Sequence, residues 1–319
     1  MEIQIPLILF TTLLAWSAGL FGTQAVYAMK GKGADTQMLA VITSLVLLAV
    51  GGVAVLFHLQ HALRIFNGFG NPTSGITQEL VALIVLAIFM VIYFIMLCRH
   101  NDGTVPTWLC ICAIIFGVVL VAVCGHSYMM GSRPAWNTAF QIGSLIGAAV
   151  GFGPATMALL CSVKKAGFNK FVHKVVKTYT VGTEEGAANE ESNDVAEINA
   201  KANFIGQIAG AALVVFYLIA LTLVNGEFTQ VGYYFDPTGP TRGLIDTAAI
   251  TPWSASALPV TLITILGLVV AVVAAIMGKK SGNWKVWGVV AIIAVLVVAF
   301  CVRILFYILG ISVYSFTDL

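Results

Sequence analysis

The sequence predicts an all-α polytopic membrane protein with eight transmembrane helices, arranged as two packed four-helix bundles. Of the 319 residues, 59% are hydrophobic and only 9% are charged, a balance well outside the range of soluble globular proteins. The hydrophobic residues form blocks of about 20 residues, the length that an α-helix needs to cross the hydrocarbon core. The short alternating segments of a transmembrane barrel do not occur.

The hydrophobic blocks divide the chain into eight predicted spans. The first block follows MEIQIP, which contains an acidic residue and no Lys or Arg. Because this start lacks the basic region of a signal peptide, we expect the first block to remain as a span. The predicted spans are about 6–28, 38–57, 78–98, 108–129, 138–161, 202–224, 256–277 and 286–310.

The positive charges predict the orientation of these spans. With eight spans, the connections alternate between the two sides, so that one side carries twelve Lys and Arg residues and the other carries three. The excess of positive charge marks the cytoplasmic side. We therefore expect both termini, and the connection between the second and third spans, on the outer side.

The connection at 162–201 separates five spans at 1–161 from three spans at 202–319. It begins with KKAGFNKFVHKVVKTY, whose apolar residues share one helical face among lysines, as in a helix on an anionic membrane surface. The acidic stretch TEEGAANEESNDVAE follows, and its composition predicts a mobile segment. The outer connection at 225–255 is rich in aromatics and prolines, which indicates either a docking surface for a partner or an interfacial anchor loop.

Small residues recur at four-residue spacing in the fifth and sixth spans: Gly143, Gly147 and Gly151, then Gly206 and Gly210. In lipid, this spacing allows two helix backbones to approach closely. We therefore predict that these two spans pack against each other.

Ionisable residues gather at the outer ends of the second and third spans. The stretch HLQHALRIFNGFG contains His58 and His61 one helical turn apart, and Arg64 continues that face. Asn67 lies in the same stretch. Glu79 is expected in the first turn of the third span, where the positive end of the helix dipole favours a carboxylate.

The fourth span ends with CGHSYMMGSRPAWNT, which adds His126, Tyr128, Arg133 and Trp136 at the same outer level. For Tyr128 and Trp136, an aromatic anchor at the membrane interface is the alternative interpretation. Ionisable groups at a membrane boundary are candidates for function. Several charged and hydrogen-bonding side chains are thus predicted to face one pocket or one interface.

Four interpretations of this cluster fit the residue types. Histidine and glutamate can accept the two protons that a quinol releases on oxidation. Paired histidines could bind haem, but here they lie at the ends of spans. An ion or proton path would place ionisable groups near the midplane, and only Arg303 comes close to that position. The histidines and Arg64 could also be interfacial anchors.

The cysteines predict no metal site in this chain. All six lie in hydrophobic blocks or at their ends, and no two have the CxxC spacing. An iron–sulfur cluster or a zinc ion held by this chain is therefore not expected.

Five short stretches resemble the DmsC family, the membrane-anchor subunits of dimethyl sulfoxide reductase and related molybdenum oxidoreductases. The resemblance covers almost the whole chain, most clearly residues 1–160. The matching stretches are PLILFT at 6–11, HLQHALRIFNGF at 58–69, SGITQEL at 74–80, RPAWNT at 133–138 and RILFY at 303–307.

The resemblance implies a chain that holds an iron–sulfur electron-transfer subunit and a molybdopterin catalytic subunit at the outer face of a bacterial inner membrane. Such a chain oxidises menaquinol and contains no haem. His58 and Glu79 match the two family residues implicated in quinol oxidation. This sequence departs from the family pattern at His61 and His126, which puts the roles of these two residues in doubt.

We therefore predict a quinol-oxidising subunit whose terminal acceptor is reduced elsewhere, with the lipid bilayer as a partner and no nucleic acid. His58 and Glu79 are the predicted proton acceptors, and menaquinol is the bound substrate. A dihaem cytochrome b-type anchor and a polytopic transporter are the alternatives. The further residues predicted to bind the quinol are Thr11, His61, Arg64, Asn67, His126, Tyr128, Arg133 and Trp136.

Overall fold

A computed structural model of the chain describes residues 3–57, 61–99, 103–163, 188–230 and 250–312, and these residues form helices and no strands. Eight helices are long and apolar enough to cross a membrane, which confirms the predicted all-α membrane fold. They are α1 (Ile5–Met29), α2 (Ala34–Leu56), α3 (Gly75–Arg99), α4 (Thr107–Ser127), α5 (Ala139–Ser162), α6 (Ala188–Leu223), α7 (Leu258–Ser281) and α8 (Trp284–Leu309). A 3-10 helix (Ala62–Gly70) precedes α3, and a short helix (Asn225–Gln230) follows α6.

The sixth helix begins at Ala188, well before the predicted start at 202. The acidic stretch that we predicted to be mobile is therefore helical from this residue onward. Tertiary contacts explain part of the extension, because Ile198 is buried and the Tyr27 hydroxyl donates to Asn199 Oδ1 over 2.7 Å. The predicted amphipathic helix lies outside the described residues, as does most of the predicted docking loop at 225–255.

The order of helix contacts defines how the spans are arranged. Within α1–α4, each helix packs against the next and α4 packs against α1; within α5–α8, the same pattern holds. Helix α5 also packs against α1 and α4. One buried apolar cluster contains residues of both groups, such as Phe10 and Val295. The division into two four-helix bundles stays a prediction, since the two groups share this core.

Helices α5 and α6 approach closely at the glycines that the spacing indicated. A Cβ atom on Gly210 would lie 2.6 Å from the carbonyl oxygen of Gly147, which leaves no room for a side chain. Across the same interface, Gln207 Nε2 donates to the carbonyl oxygen of Gly151 over 2.8 Å. Asn203 Nδ2 donates to the carbonyl oxygen of Pro154 over 3.0 Å. Small residues and amide side chains together join the two helices.

We expect Gly210→Ala to destabilise the protein, because the new methyl group must push α6 away from α5. Overpacking of this kind costs about 1–3 kcal/mol. Gly52→Ala is the matched control, since a Cβ atom there meets nothing within 4 Å. Alanine has the higher helix propensity, so the control is expected to be neutral or slightly stabilising. Thermal unfolding in detergent measures both variants, and equal stability of the two would contradict the close packing.

Candidate functional site

One end of the helix bundle brings together several of the residues predicted to form the site. At this end α1 and α3 begin, α4 and α8 end, and the connection between α4 and α5 crosses over. We call it the Glu79 end. Thr11, Glu79, Tyr128 and Trp136 lie here, on four different parts of the chain.

Glu79 is buried, with 7% of its surface exposed, and lies where α3 meets the end of α4. The Ser127 hydroxyl donates a hydrogen bond to its carboxylate. The two helices meet closely, because a Cβ atom on Gly75 would lie 2.9 Å from Ser127 Cβ. The expected position in the first turn is wrong: α3 begins at Gly75, so that Glu79 falls beyond that turn. The carboxylate therefore depends on side-chain partners more than on the helix dipole.

Arg303 of α8 is a buried cation at this end, with 5% of its surface exposed. Its Nε donates to Thr11 Oγ1 over 3.1 Å. Its guanidinium carbon lies 5.5 Å from the ring centre of Tyr128 and 5.1 Å from that of Phe306. The positive charge also interacts with the Glu79 carboxylate. A buried cation and a buried carboxylate thus lie at the same end of the bundle and interact electrostatically.

Arg303 is a residue of this site that was not predicted from the sequence. The signal was available, because Arg303 is the only Lys or Arg residue inside a predicted span, and it opens the RILFY stretch. A cation within a span is costly and usually has a functional or structural partner.

Arg133 and Trp136 pack against the end of α8. Trp136 Nε1 donates to the carbonyl oxygen of Phe306 over 2.7 Å, and the two rings stack with their centres 4.3 Å apart. The Arg133 guanidinium donates to the carbonyl oxygen of Gly310 and lies 4.7 Å from the Trp136 ring centre. Carbonyl groups in the last turn of a helix lack helical partners. These contacts therefore fix the end of α8, the helix that carries Arg303.

The described histidines do not join the buried side chains of the Glu79 end. His61 and His126 are exposed, as is Asn67. His58 and the side chain of Arg64 lie outside the described residues. The 3-10 helix itself is fixed on α3, because Thr77 Oγ1 donates to the carbonyl oxygen of Gly68 over 2.7 Å.

A groove of about 440 Å³ lies between α3 and α4, beside the 3-10 helix. Its volume is within the range of small-molecule sites, about 300–1,000 Å³. Val81 and Val119, which line it, are 44% and 40% exposed on the outer surfaces of their helices, so the groove opens towards lipid. Gln78 provides an amide in its wall next to Glu79. The other lining residues are mainly apolar and include Phe69, Pro72, Ala82, Val85, Phe116 and Val123.

The groove can hold a flat, hydrophobic molecule against α3, the helix that also carries the buried Glu79. Within the described part of the chain, no group of three or more His, Cys, Asp or Glu side chains could hold a metal ion. The predicted absence of haem and of iron–sulfur clusters stays a prediction.

Comparison with known proteins identifies the family of this fold and site. No curated protein matches the chain. The family described as DMSO reductase anchor subunit (DmsC) matches residues 1–309, from the start of α1 to the end of α8. This match includes Glu79 and Arg303 and confirms the resemblance to the family. The chain therefore belongs to the DmsC family, the membrane anchors of dimethyl sulfoxide reductase-type complexes.

Proposed function

We propose that this multi-pass membrane protein oxidises menaquinol at the Glu79 end and passes the electrons to an iron–sulfur subunit and then to a molybdopterin subunit. The observation that carries the proposal is the apolar groove between α3 and α4, whose wall includes Gln78, the sequence neighbour of the buried Glu79. The groove opens towards lipid, where a quinol with a long apolar tail is dissolved.

The reaction requires two proton acceptors and one electron acceptor. Menaquinol loses two protons and two electrons and becomes menaquinone. Glu79 would accept one proton when its side chain turns from Ser127 towards the groove wall. His58, which precedes the 3-10 helix in the sequence, would accept the other. The two electrons would pass to the iron–sulfur clusters of the partner subunit.

The proposed orientation follows from the distribution of Lys and Arg. It places both termini and the Glu79 end on the outer side of a bacterial inner membrane. Protons released there would leave on the side that also receives the electrons. The reaction at this site would then move no net charge across the membrane.

Val85→Phe tests the groove, because the larger side chain fills the space that the quinol ring would occupy. We expect the apparent KM for a menaquinol analogue to rise at least about tenfold, the effect of losing roughly 1.4 kcal/mol of binding free energy. Turnover with a reduced dye that feeds the partner subunits directly should not change.

Val91→Phe is the control for this experiment, since Val91 lies on the same helix, is 46% exposed and does not line the groove. It should behave like the wild-type protein in both assays. Unchanged quinol kinetics in Val85→Phe, with the complex assembled, would exclude this groove as the quinol site.

A further inference from the structure

Buried polar atoms without a protein partner occur on Arg303 and on several side chains of other helices. Among the described residues, Arg303 Nη2, Thr12 Oγ1 and the Tyr217 hydroxyl have no hydrogen-bond partner, and neither do the two amide atoms of Gln141. Each of these side chains is at least nine-tenths buried, and they come from four different helices. Unpaired polar groups are costly in the interior of a membrane protein, and most are satisfied by a protein group or by water.

A cavity connects two of these groups. It is lined by Thr12, Ser144 and Arg303 and otherwise by apolar side chains of α1, α5, α6 and α8. Its volume is about 10 Å³, which is close to the space that a single water molecule needs. A quinol ring is far too large for it, and the adjacent guanidinium disfavours a cation.

The lining groups also have the hydrogen-bonding capacity that a buried water needs, which is two to four polar partners. Arg303 Nη2 can only donate, so the water oxygen would accept from it. The Thr12 hydroxyl can donate or accept. The Ser144 hydroxyl donates to the carbonyl oxygen of Gln141 over 2.7 Å, and its oxygen remains able to accept. Three polar groups of suitable type thus surround the cavity.

We propose that this cavity is a binding site for an ordered water molecule that hydrates the buried guanidinium of Arg303. The water accepts a hydrogen bond from Arg303 Nη2 and donates one to Ser144 Oγ. It forms a third hydrogen bond with Thr12 Oγ1, in which either group can be the donor. Tyr217 lies one helical turn beyond Val214, another lining residue, and interacts electrostatically with Arg303. The site thereby lowers the cost of burying a cation between α1 and α8, whether or not the protein oxidises quinol.

Thr12→Val tests the site through the sign of its effect on stability, because valine has nearly the same shape as threonine. If the cavity holds water, the substitution removes one of its partners and lowers the unfolding temperature in detergent by a few degrees. If the cavity is dry, it removes an unpaired hydroxyl and leaves the unfolding temperature unchanged or raises it.

Thr264→Val is the matched control, since Thr264 is fully buried and its hydroxyl donates to the carbonyl oxygen of Val260 in its own helix over 2.8 Å. A larger decrease in unfolding temperature for Thr12→Val than for Thr264→Val supports the water site. An equal or smaller decrease overturns it. A density map that resolves other internal waters should also show one between Arg303 and Thr12. Such a map without density in this cavity overturns the site.

Discussion

Glu79→Gln is expected to lower menaquinol-dependent turnover at least about 100-fold, the lower end of the contribution that a positioned proton acceptor makes. Glutamine has nearly the same shape, and its amide oxygen can still accept the hydrogen bond from Ser127. It cannot accept a proton from the quinol. The substitution therefore removes the proposed chemistry while it preserves the local packing.

The assay compares two electron donors for the same assembled complex. A menaquinol analogue tests the membrane site, whereas a reduced dye that reaches the partner subunits directly tests the remainder of the electron path. The dye-driven rate should stay at the wild-type level. Glu197→Gln is the matched control, because Glu197 is exposed and pairs with Lys201 on the surface of α6. A normal quinol-driven rate in Glu79→Gln would contradict the role of this carboxylate.

Arg303→Gln should have the largest effect on stability. The substitution removes the positive charge that interacts electrostatically with Glu79 and replaces the guanidinium that donates to Thr11. Loss of a buried hydrogen bond to a charged group typically costs about 1.5–3 kcal/mol, and the weaker compensation of the Glu79 charge adds to that loss. Thermal unfolding of the detergent-solubilised protein measures the loss.

The double variant Glu79→Gln, Arg303→Gln shows whether the two charges depend on each other. Neighbouring groups that interact give a coupling free energy of about 0.5–3 kcal/mol. We expect the double variant to be less destabilised than the sum of the single variants, since it contains neither isolated charge. If the losses of unfolding free energy were strictly additive, Arg303 and Glu79 would stabilise the protein independently.

Local patterns in the sequence were sufficient to predict the spans and the contact between α5 and α6. Hydrophobic blocks of about 20 residues mark the helices, and glycines at four-residue spacing mark the close approach of Gly147 and Gly210. Glu79 could also be identified, because a carboxylate at the start of a span is rare and lies within a family motif. The start of α6 could not be predicted, because it depends on contacts such as that between Tyr27 and Asn199.

The sequence did not predict which residues meet in the folded site. Arg303 and Thr11 are separated by 292 positions in the chain, and only the packing of α8 on α1 brings them together. His126 and Tyr128 are two residues apart at the end of α4, so their side chains leave the helix in different directions. His126 is exposed, whereas Tyr128 packs against Phe306. Residue type alone could not distinguish these two positions.

Rapid mixing of the purified complex with a menaquinol analogue tests the central claim most directly. The reduction of iron–sulfur clusters in the partner subunit that we propose is followed during a single turnover. Menaquinol should reduce the clusters of the wild-type complex, whereas the clusters of Glu79→Gln, present in equal amount, should stay oxidised on that time scale. Cluster reduction at the same rate in both complexes would contradict quinol oxidation at the Glu79 end.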